Sequence, residues 1–324
     1  MTGRITTMLA LLLLAVPAAA QDGDGPDLAI SAFADLLAPL HKDEAGEQFR
    51  VNQAEVDLEG VIAPRATAAM AVAYDPEAAT FALAVLSAEY ALADGDDFGA
   101  ALMAGQFDVR FGVDWRVYAS IDRRLVTAPL TTRGTHEGWN DQGVNLHLRK
   151  GAFAADAYLL NGSGAGRGNT GNPDPRPIEQ AYGGRLGALL GVFEAGVSAA
   201  AFRDEADEHV MDLTGADLQA TFGPLALTAE YLRQVTDCGT PYSTVNKGAY
   251  AQGIVDLDRV YGFARWDAID CGSSGSDCTR RISLGGGYVV ETGLEIRLEH
   301  EIGLRAMPNR TWLQMAVSFG SIGG

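Results

Sequence analysis

The charged residues with the clearest chemical potential fall into two groups of opposite sign. Four arginines lie in one polar stretch, residues 113–141, namely Arg116, Arg123, Arg124 and Arg133. Three acidic residues alternate with apolar ones earlier in the chain, namely Glu55, Asp57 and Glu59. Opposite fixed charges on two sides of a narrow, water-filled passage create a transverse field that sorts solutes by charge and dipole. If the chain encloses a passage, we expect these residues to line its constriction.

The alternative is that these charges are ordinary solvated groups on an exposed loop. The same stretch also carries four acidic residues, namely Asp114, Asp122, Glu137 and Asp141. Because they balance the four arginines, the sign of any selectivity cannot be derived from the net charge of the loop.

Enzyme and cofactor patterns are incomplete in this sequence. Gly166-x-Gly168-x-x-Gly171 matches a dinucleotide fingerprint by letter, but three prolines follow it, and no helix can begin there to hold a pyrophosphate. Ser163 lies between glycines, but Asn161 breaks the nucleophile-elbow pattern. His136-Glu137 lacks the second histidine of a zinc-protease helix. We predict that the protein is not an enzyme and that it has no cofactor or metal.

The N-terminus predicts an exported protein. Arg4 precedes the apolar run Met8–Val16, which is too short to span a bilayer, and Pro17–Ala20 resembles a signal-peptidase site. We expect a signal peptide over residues 1–20 and a flexible leader over residues 21–27. The net charge of −18 argues against a nucleic-acid partner.

Three cysteines remain in the exported chain, where disulfides can form. Cys271 and Cys278 flank a short polar segment, which predicts a small stapled loop. A bridge from Cys238 to either of them stays open, because spacing alone does not determine connectivity.

Alternation at a period of two predicts β-strands along the chain. In Gln48–Ile62, Ala54, Val56 and Leu58 share one face, and the acidic residues named above share the other. Leu294–Ile302 repeats the pattern with Leu, Ile and Leu opposite Glu, Arg and Glu. About sixteen such segments fill residues 28–319, and a short tail follows at 320–324. The Ala-rich segment Phe81–Leu92 is assigned as a strand from its context.

Connection lengths indicate how these strands are arranged. Connections after even-numbered strands are tight, whereas those after odd-numbered strands are mostly long, glycine-rich or charged. Outer-membrane barrels have short periplasmic turns and longer external loops, whereas a soluble β-sandwich has no reason to sort its loops in this way. The sequence therefore predicts an all-β fold, a transmembrane antiparallel β-barrel of about sixteen strands, rather than a soluble periplasmic β-protein.

Two segments resemble bacterial outer-membrane porins of the general and phosphate-selective classes. Met103–Phe107 running into Phe111-Gly112 is similar to the strand that leads into the long third loop of the phosphate-selective group, although Arg110 replaces its usual proline. The final strand ends in Phe319, which resembles the C-terminal assembly signal of outer-membrane proteins, although Gly320–Gly324 follow it. The resemblance places the loop 113–141 inside the barrel.

The resemblance further implies a pore in the outer membrane, surrounded by lipid, through which small hydrophilic solutes or ions diffuse passively, and a homotrimeric assembly. The main alternative is a plugged, non-conducting barrel with a structural or surface-binding role. An outer-membrane lipase or protease would need a Ser/His or Asp/His pair on the barrel wall, which the scattered histidines do not favour.

Overall fold

The computed structural model describes residues 28–40, 49–76, 79–162, 178–204, 208–237, 243–271, 279–305 and 307–320. The predicted signal peptide and leader lie outside these residues, as do the last four residues of the tail. Two one-turn helices, α1 (Asp114–Val117) and α2 (Leu130–Arg133), accompany sixteen strands. The strands are β1 (Leu28–Pro39), β2 (Arg50–Ala63), β3 (Ala66–Asp75), β4 (Thr80–Asp94), β5 (Phe98–Asp108), β6 (Asn140–Lys150), β7 (Phe153–Leu160), β8 (Gln180–Leu190), β9 (Phe193–Arg203), β10 (His209–Phe222), β11 (Leu225–Asp237), β12 (Ser243–Leu257), β13 (Val260–Cys271), β14 (Thr279–Glu291), β15 (Leu294–Arg305) and β16 (Arg310–Gly320).

The strands form one closed antiparallel barrel. Each strand pairs with its neighbours in sequence, and β1 closes the ring against β16 with a register that runs from Ser31 opposite Gly320 to Pro39 opposite Trp312. Closure pairs the backbone groups that an open sheet edge would leave exposed, which a bilayer core does not tolerate. The predicted all-β barrel of about sixteen strands is confirmed, including the Ala-rich strand β4.

Loop lengths alternate around the ring as predicted. The connections after β2, β6, β8, β10, β12 and β14 are two residues long, and the one after β4 is three residues long. Gly151 and Gly191 begin two of these turns with φ of +55° and +64°, a backbone region that favours glycine. The longest described connection joins β5 to β6 and comprises residues 109–139, which we call the inner loop.

Charged side chains are buried and apolar side chains are exposed, which is the reverse of a soluble protein. On β15, Arg297 and Glu299 are 1% and 0% exposed, whereas Ile296 and Leu298 on the opposite face are 42% and 47% exposed. A barrel with an apolar outer band and a polar interior shows this arrangement, whereas a soluble core would bury the apolar face. The outer face of the barrel is therefore suited to lipid.

The strand before the inner loop ends before the Phe111-Gly112 pair that the resemblance placed in it. β5 ends at Asp108, so Phe111 and Gly112 belong to the inner loop. Gly105 bends the strand with φ of +127°, and a Cβ there would lie 2.2 Å from the Leu86 carbonyl oxygen. Beyond this bend, Gln106 Nε2 donates to the carbonyl oxygens of Leu83 and Ala84, at 3.2 and 2.9 Å. The side chain thus satisfies carbonyls on the part of β4 that β5 does not pair.

Candidate functional site: the barrel interior

The inner loop lies inside the barrel and reaches strands on several sides of the ring. The Ser120 amide donates to Gln53 Oε1 on β2 at 2.7 Å, and the Gly112 amide donates to Ser198 Oγ on β9 at 3.1 Å. The Thr127 amide donates to Glu299 Oε2 on β15 at 2.9 Å. Because β2 and β9 are nearly opposite in the ring, the loop crosses the interior.

Aromatic packing fastens the two ends of the loop to the wall. Trp139, the last loop residue, packs against Phe202 and Tyr158 with ring centroids 5.1 and 5.8 Å apart. Phe111, near the loop's start, lies 6.1 Å from Trp139 and is fully buried. Such ring pairs add about 0.5–1.5 kcal/mol each beyond the area they bury. This cluster closes the loop at its base.

Three arginines of the wall hold the far part of the loop, and we call them the arginine clasp. They lie on consecutive strands, at Arg265 on β13, Arg281 on β14 and Arg297 on β15, and each is at most 2% exposed. Arg265 Nη1 donates to the Thr127 carbonyl at 2.7 Å, and Arg281 Nη2 donates to the Ala128 carbonyl at 2.6 Å. Arg297 Nη1 donates to the Ser120 carbonyl. The clasp therefore binds the backbone of the loop.

Buried carboxylates neutralise two clasp arginines. Asp267 lies between Arg265 and Arg281, at 2.8 Å from Arg265 Nε and 3.1 Å from Arg281 Nε. Glu299 Oε1 lies 3.5 Å from Arg265 Nη2, and Glu301 pairs with Arg281. Breaking such a buried pair is costly, because the remaining charge is left without compensation. The network fixes this part of the wall and the loop together.

The third clasp arginine has its own partner. Glu295 lies two residues before Arg297 on β15 and accepts from its Nε at 2.8 Å and from its Nη2 at 2.9 Å. Two parallel hydrogen bonds between a guanidinium and a carboxylate fix its orientation as well as its charge. The guanidinium is therefore held in place to reach the Ser120 carbonyl.

Two titratable groups lie buried near the base of the loop. The Gly138 amide donates to Asp114 Oδ2 at 2.8 Å. Burial raises the pKa of Asp114 to about 7, and the nearby charge of Glu137 adds to this rise. Burial lowers the pKa of His136 to about 4, because the charged imidazolium loses its hydration. Both side chains are therefore held in their neutral forms at mildly acid pH.

The four predicted loop arginines are dispersed over different partners. Arg116 Nη1 pairs with Glu194 at 2.6 Å. Arg133 reaches Glu137 of its own loop at 3.8 Å. Arg123 Nη1 donates to the Tyr118 carbonyl at 3.1 Å.

The fourth arginine, Arg124, contacts two acidic residues of the wall. Its Nη2 lies 2.8 Å from Asp256, and its Nη1 lies 3.4 Å from Glu295. Its guanidinium carbon also lies 4.7 Å from the ring centroid of Tyr261.

The predicted acidic wall faces the interior, but none of these arginines pairs with it. Gln53, on the same face of β2 as Glu55, Asp57 and Glu59, accepts from the loop, which places that face inward. Among the residues that the structure describes, no ion pair joins the four arginines to these three acids. The inner loop also brings Asp122 close to this wall, where partial loss of hydration and the negative charge of Asp57 raise its pKa.

Sequence reasoning missed most of the clasp. The alternation placed Arg297 and Glu299 on one face of β15, but Arg265 and Arg281 were not singled out. A search for arginines at inward positions of consecutive strands would have found them.

The remaining predicted positions lie at strand ends. Phe319 pairs opposite Ala32 on β1, near the end of β16. The predicted Cys271–Cys278 bridge falls on side chains outside the described residues, and so does Cys238.

The fold is that of the outer-membrane porins. The structure resembles an anion-selective porin from Comamonas acidovorans, with a TM-score of 0.68 and 12% identity over 91% of this chain and 100% of that one. It resembles OmpF of Salmonella typhi, solved with daunomycin, with a TM-score of 0.65 and 10% identity over 91% and 97%. It also resembles a trimer form of OmpT of Vibrio cholerae, with a TM-score of 0.62 and 12% identity over 91% of this chain and 99% of that one. No protein-family model and no curated protein matches the chain.

Two kinds of feature are absent from the described residues. None of the helices there has the length and apolar character needed to cross a membrane. No group of three or more His, Cys, Asp or Glu side chains in that part of the chain could hold a metal ion.

Proposed function

We propose that this chain is an outer-membrane porin through which small hydrophilic solutes or ions diffuse passively. One observation carries the proposal: ion-paired side chains in the interior remain open to water. The side chains of Arg124 on the inner loop and Asp256 on β12 pair at 2.8 Å, yet they are 36% and 39% exposed. A filled lumen would bury such a pair, as the clasp is buried. Space that water reaches is what a diffusion pore requires.

The inner loop would narrow this passage and filter solutes by size and charge. It crosses from the aromatic cluster at its base to the arginine clasp, and its exposed side chains include Arg116, Tyr118 and Asp122. Fixed charges within a low-dielectric wall act strongly on a passing ion, because field lines are focused into the water. On this proposal the constriction residues are those of the loop together with the acids of β2.

The proposal includes location and assembly. An N-terminal signal peptide over residues 1–20 would deliver the chain to the outer membrane, where the apolar outer face of the barrel would contact lipid. A homotrimer is supported by the likeness to the trimer form of OmpT, although that likeness is one of fold. The protein would act without a cofactor and without catalysing a reaction.

The test is planar-bilayer conductance of the purified, refolded protein. A folded barrel is first established by its heat-modifiable mobility on a gel. Stepwise increases in current, each of the same size, are the expected result, and boiled protein from the same preparation is the control. A silent bilayer with folded protein would overturn the porin proposal and favour a plugged barrel with a structural or surface-binding role.

A further inference from the structure

The arginines of the barrel interior have little free charge to offer a passing anion. Eight of them are paired with carboxylates, namely Arg110 with Asp156, Arg116 with Glu194, Arg124 with Asp256, Arg133 with Glu137, Arg185 with Asp217, Arg265 and Arg281 with Asp267, and Arg297 with Glu295. An ion pair presents almost no net charge at a distance. Arg123 donates to the Tyr118 carbonyl, and its charge acts on buried Asp114.

A group of acids in the described part of the interior forms no ion pair, and we call Glu55, Asp57 and Asp122 the acidic lane. The first two lie on the inward face of β2, and the third lies on the part of the inner loop that β2 contacts. Among the described residues, no Lys, Arg or His forms an ion pair with any of the three. Asp57 accepts a long hydrogen bond from Ser31 Oγ, at 3.5 Å.

We infer that the passage prefers cations over anions and that the acidic lane sets this preference; the inference rests on the proposed pore. Glu55 and Asp57 lie two positions apart on the inward face of β2, so their negative charges add to that of Asp122. A unit charge about 10 Å from an ion in water changes the local cation-to-anion ratio by about two- to fourfold. The lane acts through this field and needs no ion held in place.

The fold alone does not determine whether a porin prefers cations or anions. The similar barrel from Comamonas acidovorans is an anion-selective porin. Because selectivity depends on which side chains remain uncompensated, two barrels of one architecture can prefer opposite ions.

The experiment measures the reversal potential of single channels under a KCl gradient at pH 8. The wild type is expected to show the sign of the K⁺ equilibrium potential. The triple variant Glu55→Gln, Asp57→Asn, Asp122→Asn is expected to lose most of this preference, by several fold in the permeability ratio. The matched control neutralises three acids at barrel turns, Asp94→Asn, Asp258→Asn and Glu291→Gln, and should keep the wild-type ratio.

A second variant protects the test against misfolding. Asp122→Lys changes one exposed loop residue and should shift the ratio toward anions in a barrel that still shows heat-modifiable mobility. Stepwise currents with an anion preference in the wild type would overturn the inference while leaving the pore intact. An equal loss in the control would overturn the assignment to the acidic lane, and a silent bilayer would instead overturn the proposed function itself.

Discussion

Arg281 and Glu301 form a buried ion pair on neighbouring strands, and each of them also holds the inner loop. Arg281 donates to the Ala128 carbonyl at 2.6 Å, and Glu301 Oε1 accepts from the Thr127 hydroxyl at 3.1 Å. The same two side chains therefore join β14 to β15 and join the wall to the loop. Stability of the barrel and position of the loop depend on one set of contacts.

Arg281→Met should destabilise the barrel. The change leaves buried Glu301 without its counterion and leaves Asp267 with Arg265 alone. Such a loss costs about 3–5 kcal/mol in comparable cases. We expect the folded band on a gel to convert at a markedly lower temperature or urea concentration. Arg280→Met is the matched control, because the neighbouring residue is exposed on the outer face and carries the same charge. Equal behaviour of the two variants would show that the clasp contributes nothing.

Thr127→Val should loosen the loop while leaving the wall arginines in place. The Thr127 hydroxyl donates to Glu299 Oε1 at 2.7 Å and accepts from Arg265 Nη2 at 2.9 Å. Its loss leaves buried polar groups short of a partner, at a cost of about 1–3 kcal/mol. The expected readout is faster proteolytic cleavage within residues 109–139 and more current flicker. Thr228→Val on β11 is the control, and unchanged cleavage in Thr127→Val would contradict the prediction.

Asp114 and His136 should give opposite pH dependences of stability. Folded Asp114 keeps its proton up to a pKa of about 7, whereas the unfolded side chain loses it near 4, so its contribution to stability falls as pH rises across that window. Folded His136 binds its proton only below a pKa of about 4, against about 6.5 when unfolded, so its contribution rises with pH between those values.

Urea titrations of the two single variants test this pair. Relative to the wild type, Asp114→Asn should gain stability progressively from pH 4 to pH 7, because the variant lacks the Asp114 contribution that the wild type loses over this range. His136→Gln should show the reverse trend between pH 4 and pH 6.5. Parallel pH profiles for the wild type and both variants would mean that neither group changes its pKa on folding.

Arg116→Gln should change selectivity more than stability. Its pair with Glu194 is partly exposed, with side-chain exposures of 38% and 27%, and such pairs contribute about 0–1 kcal/mol. Removing the arginine leaves Glu194 with only Arg185, which is 4.0 Å away and already paired with Asp217, so the interior becomes more negative and the preference for K⁺ over Cl⁻ should increase. Arg65→Gln, at the turn after β2, is the control. A shift toward Cl⁻ would mean that Glu194 does not face the conducting path.

Local pattern was sufficient to predict the barrel. Alternation along β15 depends only on residues a few positions apart, since side chains of a strand point to opposite faces in turn. The tight turns are equally local, because glycines such as Gly151 and Gly191 mark them directly. Strand number and loop order followed from these two signals.

The partners of the loop could not be predicted in the same way. Arg124 meets Asp256 and Glu295, which lie 132 and 171 positions further along the chain. Which wall a loop reaches depends on where it leaves its strand, and here Gly105 and the Gln106 side chain set that point. The arginines were therefore expected opposite the acids of β2, whereas the described contacts take them elsewhere.

The arginine clasp binds backbone carbonyl groups, which every residue has. Arg297 and Arg281 bind the backbone of Ser120 and Ala128, not their buried side chains. Substitutions at exposed loop residues such as Arg116 and Asp122 therefore leave these anchors in place. If the barrel is the proposed pore, the loop's exposed side chains can change which solutes pass while the barrel and the attachment of the loop stay the same.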